Sequence, residues 1–309
     1  MKRWRWAAAY GLAAIVGSAI ASAEDAARSA GDGVVIASYN VENYLGEESP
    51  EQAGHRRARA KSAKAIAAVV RVVKDIHPDI LGVCEMGSPQ EFEQFKGLLK
   101  GAGLEFSDFE YVAGPDPDRH LALLSRFPIV ARQSMPNVVY ELNGAPEKVK
   151  RGFLDVTVRI NKSFDLRLVG VHLKSKLAEA EDESLMRRHE ADLLRHHLDE
   201  IMAADPTVNL LAYGDFNETK GQPAMREIMG ARGATYMADL PAQDSVGDRW
   251  TEYWPVEDLY SRIDYLLVNP KLLHEIAVEK SAVYRSEYWH EASDHRAIYT
   301  NIIPTNRSH

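Results

Sequence analysis

Val208-Asn209-Leu210-Leu211-Ala212-Tyr213-Gly214-Asp215-Phe216-Asn217 passes from a nearly unbroken apolar run into a pair of polar groups. A half-buried strand alternates apolar and polar residues; a run this continuous is what a strand covered on both faces requires. Three other segments have the same form. Val34 to Tyr39 runs into Asn40, Asp79 to Cys84 runs into Glu85, and Leu121 to Ser125 is ended by Phe127-Pro128. Residues 263–268 and 297–303 predict two more strands, and residues 153–160 and 166–172 predict a hairpin turning at Asn161-Lys162-Ser163.

Between these strands lie stretches of helical period. Residues 55–76 place Ala63, Ile66, Ala67, Val70 and Val73 on one face with Arg and Lys opposite, and Pro78 ends the segment. Residues 91–99 and 183–202 predict two further helices, the second with Leu194, Leu198 and Ile201 inward. Crossover helices mixed with hairpins predict one mixed α/β domain over residues 24–309, since no repeat or linker divides the chain.

The first residues read as an address. Lys2, Arg3 and Arg5 precede an apolar run from Trp6 to Ile20, and Ala21-Ser22-Ala23 fits a signal-peptidase site. The run is short for the roughly 20 residues a bilayer span needs. Residues 1–23 are therefore expected to be a cleaved signal peptide, the mature protein to be periplasmic or extracellular, and no stable membrane association to remain. Cleavage removes three basic residues and takes the formal charge from −8 to −11. An acidic surface opposes non-specific capture of polyanions, so any such substrate must be held locally, by basic groups or by metal. Cys84 is the single cysteine, so stability must come from a core, which the 45% hydrophobic content supports.

Polar residues fall where these buried strands end. Asn40, Glu85, His172, Asp215 and Asn217 lie at or just past a strand's carboxyl end, Asp264 lies within a strand, and Asp294 and His295 precede the last one. A polar group left unpaired at such a place is costly. One would read as a turn residue; a whole set of carboxylates, amides and imidazoles reads as a ligand set suited to hard divalent cations.

The chain resembles the endonuclease/exonuclease/phosphatase superfamily, and within it the exported bacterial-type nucleases. The matching stretches are Ser38-Tyr39-Asn40-Val41-Glu42-Asn43, Ile80 to Glu85, Leu124 to Ile129, Val171-His172-Leu173-Lys174-Ser175-Lys176, Tyr213 to Asn217, Ser261 to Tyr265 and Ser293-Asp294-His295. They occur in the family's order and span residues 34–303. The resemblance implies a deoxyribonuclease I-like, four-layer α/β sandwich of two packed β-sheets flanked by helices. It implies a secreted phosphodiesterase using Mg²⁺ or Mn²⁺, an endonuclease on DNA or RNA, with small-molecule or lipid phosphoesters as the alternative substrates. Glu85 would be the principal metal ligand, with Asn40, Glu42 and Asp294 beside it; Glu42 stands where some relatives carry aspartate. His172, Asp215, Asn217, Asp264 and His295 would be catalytic, Asp264 holding His295 in one tautomer. Arg151 resembles a family arginine that contacts substrate phosphate, and Lys174 would line the entrance with Lys176. A monomer with nucleic acid as its partner is expected.

Other signals have plainer readings. Arg56, Arg57, Arg59, Lys61 and Lys64 read as a solvated helix face, and His189, His196 and His197 as surface histidines. Trp250, Tyr253, Trp254 and Tyr260 read as loop packing, with base stacking or lipid contact as the alternative.

Overall fold

The structure is a computed structural model and describes residues 33–44, 60–176 and 181–305. The expected signal peptide and Arg56, Arg57 and Arg59 lie outside those residues. In chain order the first half comprises β1 (Val34–Tyr44), α1 (Ala63–Ile76), β2 (Ile80–Met86), α2 (Pro89–Gly101), β3 (Asp108–Val112), β4 (His120–Ser125), β5 (Ile129–Arg132), β6 (Val139–Leu142) and β7 (Ala145–Lys148). The second half comprises β8 (Leu154–Asn161), β9 (Phe164–His172), α3 (Glu181–Ala204), β10 (Asn209–Asp215), α4 (Pro223–Met229), β11 (Ala238–Asp239), β12 (Glu252–Trp254), β13 (Leu259–Ser261), β14 (Asp264–Val268), α5 (Pro270–Leu273), β15 (Ala282–Val283), α6 (Trp289–Ala292) and β16 (Ile298–Ile302).

Two six-stranded sheets form, ordered β15-β16-β1-β2-β4-β3 and β11-β14-β10-β9-β8-β5. Each has one parallel pair at its centre, β1 with β2 and β9 with β10, and antiparallel strands outside it. The two sheets face each other and the helices cover their backs, which is the four-layer mixed α/β sandwich the resemblance implies. Alternate residues of each central strand show why the apolar runs are unbroken. Leu211 and Tyr213 of β10 pack with Ile36, Ile80 and Leu123 between the sheets. Leu210 and Ala212 pack on the other face with Leu194 and Leu198 of α3. On the far side Ala37, Tyr39 and Leu81 meet Val69 and Val72 of α1 and Phe95 of α2. Both faces are buried, so both residue parities are apolar.

Tyr213 fixes how closely the sheets approach. Its ring lies where a side chain at Gly82 of β2 would stand, 2.0 Å from an added Cβ, and its hydroxyl lies 2.6 Å from one added at Gly170 of β9. Those two positions admit only hydrogen, and the central strands of both sheets close down on one ring.

Several expectations shift. Among the described residues the first helix begins at Ala63, where Ser62 caps it by accepting from the Ala65 amide at 3.2 Å; residues 55–59 of the expected helix lie outside them. β1 does not stop at Asn40 but continues to Tyr44 through a register shift. His197 is not a surface histidine: its Nε2 lies 2.8 Å from Asp155, which Arg167 also grips at 2.6 and 2.8 Å. His189 stacks on Tyr140 with centroids 5.4 Å apart. Lys61 is not solvated, its side chain being only 5% exposed.

Candidate active site

The central strands β1, β2, β9 and β10 all bring their carboxyl ends to one rim of the sandwich. β14 and β16 run antiparallel to their neighbours, so it is their beginnings that reach the same rim; Asp264 pairs directly opposite Asp215, and Asp215 opposite His172. Here the structure brings Asn40, Glu85, His172, Asp215, Asn217, Asp264, Asp294 and His295 together, with a cleft of about 850 Å³ above them.

Four of the residues around this rim hold a backbone conformation with positive φ: Glu42 (48°), Asn43 (49°), Glu85 (64°) and Asn217 (50°). Non-glycine residues adopt this only when the surroundings enforce it. At Glu42 and Asn43 the cause is the bulge in β1, which turns the Glu42 amide onto Asn40 Oδ1 at 3.0 Å and the Asn43 amide onto Glu85 Oε2 at 2.8 Å. At Asn217 the amide turns back onto Asp215 Oδ1 at 2.8 Å, while its side chain donates to the Leu173 carbonyl at 2.9 Å.

His295 Nδ1 lies 2.8 Å from Asp264 Oδ2, so its Nε2 points at the cleft, 3.7 Å from Asp215 Oδ2 and 3.9 Å from Asp294 Oδ1. Thr251 Oγ accepts the Ile263 and Asp264 amides at 3.1 Å, and Ser293 Oγ bridges the Asn40 carbonyl and the His295 amide. Burial opposes a charge on His295, but Asp264, Asp294 and Asp215 together hold its pKa well above the ordinary histidine value. His172 is the opposite case. Burial, then the positive charges of Arg151, His295, Arg119 and Lys174, push it well below that value. Its Nε2 stands 3.6 Å from Asp215 and 3.7 Å from Glu85. Burial raises the Asp215 carboxyl, His295 pulling it the other way and Asp264 pushing it further up.

The expected metal set lies beside this chain of groups. Glu85 and Asp294 offer carboxylate oxygens of the kind hard cations take. Asp294 is pushed up to about 7 by its enclosure and by repulsion from Glu42, Glu85 and Glu252, with His295 opposing. A carboxylate crowded by others in this way marks a place short of positive charge, and the residues fit a divalent ion. Asn40 differs from expectation. Its oxygen faces the Glu42 amide, and its Nδ2 is the atom turned inward, 3.0 Å from Asp215 and 3.4 Å from Glu85. Asp215, Asp264 and His295 form a second possible metal group, their ligand atoms all within 4.8 Å of one another.

Among the cations, Arg151 is buried, its Nε 3.3 Å from Asp116, and neither Nε nor Nη1 makes a hydrogen bond. Lys174 pairs with Glu183 at 2.6 Å, and Lys176 with Glu218 at 2.5 Å. Arg119 and Glu252 are among the cleft residues that escape a reading of the sequence. Arg119 stands just before β4, 3.4 Å from Glu85 Oε2, and Glu252 opens β12. Both stand at the start of a strand rather than at its end, so a search of carboxyl ends passes over them. The signal available was the run Asp116 to His120, four charged or titratable residues and one proline directly ahead of an apolar strand. Trp250 packs edge-on against Tyr260 and Trp289, as loop packing predicts, whereas Trp254 lines the cleft.

A sequence profile described as the Endonuclease/Exonuclease/phosphatase family matches residues 37–295. No curated protein matches the chain in sequence. Solved structures do match in fold. Beta toxin from Staphylococcus aureus is 14% identical, with 87% of this chain and 99% of that one covered and a TM-score of 0.61. The human Nocturnin catalytic domain with bound sulfate is 17% identical over 87% and 93%, with a TM-score of 0.62. A mannosyl-6-phosphatase from Bacteroides thetaiotaomicron VPI-5482 is 16% identical over 87% and 99%, with a TM-score of 0.59.

Proposed function

The chain belongs to the endonuclease/exonuclease/phosphatase family, and from that premise we propose that it is a secreted endonuclease cutting DNA or RNA with Mg²⁺ or Mn²⁺. The family makes it a divalent-metal-dependent phosphoric ester hydrolase; the nucleic-acid substrate, the ion and the secretion are our reading. The observation that carries it is the set of cations in the cleft lining. Arg119, Lys150, Arg151, Lys174 and Lys176 line the cleft beside its acidic groups, in a chain whose net charge is negative. Several cations around one cleft suit a run of phosphates along a backbone.

Glu85, Asp294 and Glu42 would hold the ion, leaving Asp264 and His295 bonded to each other. An ion held there would supply positive charge against the negative charge that develops on the phosphate. The protein's own residues do the rest. Arg119 and Arg151 bind the phosphate, the orphaned Arg151 nitrogens gaining the partners they lack. His172, kept neutral, offers an N–H to a non-bridging oxygen rather than a proton to the leaving group. Asp264 orients His295, and His295 and Asp215, 3.7 Å apart, together take the proton of the attacking water. Asn40 Nδ2 keeps Asp215 facing the cleft.

A second reading has its own observation. The β12–β13 hairpin beside the cleft exposes Val256, at 80%, with Leu259 and Tyr260, which suits an apolar phosphoester or a lipid surface. No described helix is long and apolar enough to cross a membrane.

Purified mature protein should nick plasmid or cut RNA with Mg²⁺ or Mn²⁺, lose that activity in EDTA, and lose it on Glu85→Ala or His295→Ala with an unchanged circular dichroism spectrum. Hydrolysis of phospholipid vesicles or sugar phosphates, with nucleic acid untouched, would sink the nuclease reading in favour of the second.

A further inference from the structure

Lys61 is a nearly enclosed cation beside the proposed metal site, and the proposed chemistry leaves it without a role. It stands one residue ahead of the Ser62 cap of α1, and its side chain is 5% exposed. Its Nζ donates to the Glu42 carbonyl at 3.1 Å and lies 3.5 Å from Glu42 Oε2. Asp294 and Glu85 are the other acids close enough to act on it. An ammonium enclosed in this way is expensive unless fixed negative charge surrounds it, and the charge that surrounds it is the carboxylate group assigned above to the metal.

We infer that Lys61 is a resident cation of the Glu42, Glu85 and Asp294 cluster, occupying the place of a second divalent ion and restricting the site to one. The inference rests on the reading that these carboxylates hold the metal. Two observations support it. The atoms Lys61 touches are a backbone carbonyl and a carboxylate oxygen, both hard donors of the kind Mg²⁺ and Mn²⁺ take, and the ammonium stands against them. The charge count agrees. Three carboxylates are opposed by one ammonium and by Arg119, 3.4 Å from Glu85; counting these five groups alone, one divalent ion takes the net charge from −1 to +1, and a second would take it to +3. Lys61 also fastens the bulge from the outside. It holds the carbonyl of Glu42, whose neighbour Asn43 fixes Glu85 through its amide, so the cation and the carboxylate it neutralises hang from the same two residues.

The test counts ions. Mn²⁺ binding to the full mature chain is measured by the free-ion electron paramagnetic resonance signal, for wild type, Lys61→Met, Lys61→Arg and Glu85→Ala. Wild type and Lys61→Arg are expected to bind one ion in the cleft. Lys61→Met is expected to bind two, with the spin-coupled spectrum of a neighbouring Mn²⁺ pair. Two ions in wild type, or one ion in a folded Lys61→Met, overturns the inference; the wild-type count decides it even if Lys61→Met does not fold. A Glu85→Ala protein that binds as many ions as wild type would instead overturn the placement of the metal itself.

Discussion

At the scale of single residues, two groups are set apart by their surroundings rather than their chemistry. Asp264 is buried and reaches His295 at 2.8 Å, so its loss should free the imidazole to turn and to choose the other tautomer. Asp264→Asn should lower kcat by about 10²–10⁴-fold, the range a positioned acid–base group contributes, with the circular dichroism spectrum unchanged; a variant with full turnover would show that the pair has no part in the reaction. Asp294 titrates at about 7 in the folded protein against 3.8 for the ordinary group, although its side chain is 41% exposed to the cleft, where water screens part of the repulsion. The metal-free folded protein therefore holds a proton there that the unfolded chain has released. Its stability should fall as pH rises from about 4 to about 7. Melting temperatures in EDTA across that range should show the fall in wild type and a shallower one in Asp294→Asn, and adding Mn²⁺ at neutral pH should reverse it. A wild-type curve parallel to that of the variant would remove Asp294 as the cause.

At the scale of elements, α3 acts on the cleft through one of its turns. Glu190, fully buried, accepts the Lys174 amide at 2.7 Å and the Lys150 amide at 3.3 Å, so one carboxylate ties together the two segments that carry Arg151 and Lys174. One turn earlier, Arg187 pairs with Glu218 at 3.1 Å and donates to the Lys174 and Ser175 carbonyls. Burial raises the Glu190 carboxyl, and Arg151 and the two amides pull it back. Glu190→Ala should raise KM about tenfold, the equivalent of one charge-assisted hydrogen bond, with kcat little changed, and Glu190→Gln should recover part of it. A fall in kcat at constant KM would mean instead that α3 supports the reacting groups and not the phosphate-binding wall. The helix was legible in the sequence from the spacing of Leu194, Leu198 and Ile201. The clasp was not, because Glu190 bonds to amides more than a dozen residues away along the chain.

At the scale of the whole molecule, charge and substrate pull against each other. With residues 1–23 removed the formal charge is −11, so cations outside the cleft contribute little to holding a polyanion. If nucleic acid is the substrate, Arg119, Lys150, Arg151, Lys174 and Lys176 are the cleft cations placed to release counterions. The slope of log KM against log salt should then be no steeper than about 3.5–4.5, at roughly 0.7–0.9 per phosphate contact. A steeper slope would place a further basic surface outside the cleft, and a slope near zero would favour a small phosphoester.

By itself the sequence determined the central strands and the residues that end them. A strand buried on both faces must be continuously apolar, so the change to Asn40, Glu85, His172 and Asp215 is visible one residue at a time. It also carried the order of those segments, on which the family likeness rests. Tertiary structure alone decided which other groups meet them. Arg119 arrives ahead of a strand running the opposite way, Glu252 arrives at the start of the β12–β13 hairpin, Lys61 arrives from the foot of a helix, and the inward face of the Asn40 amide depends on a bulge two residues on. The physical reason is common to all of these. Burial on two faces leaves a mark on every residue of a strand, whereas a contact between distant residues depends on strand direction and register, and neither is written in the local pattern of apolar and polar residues.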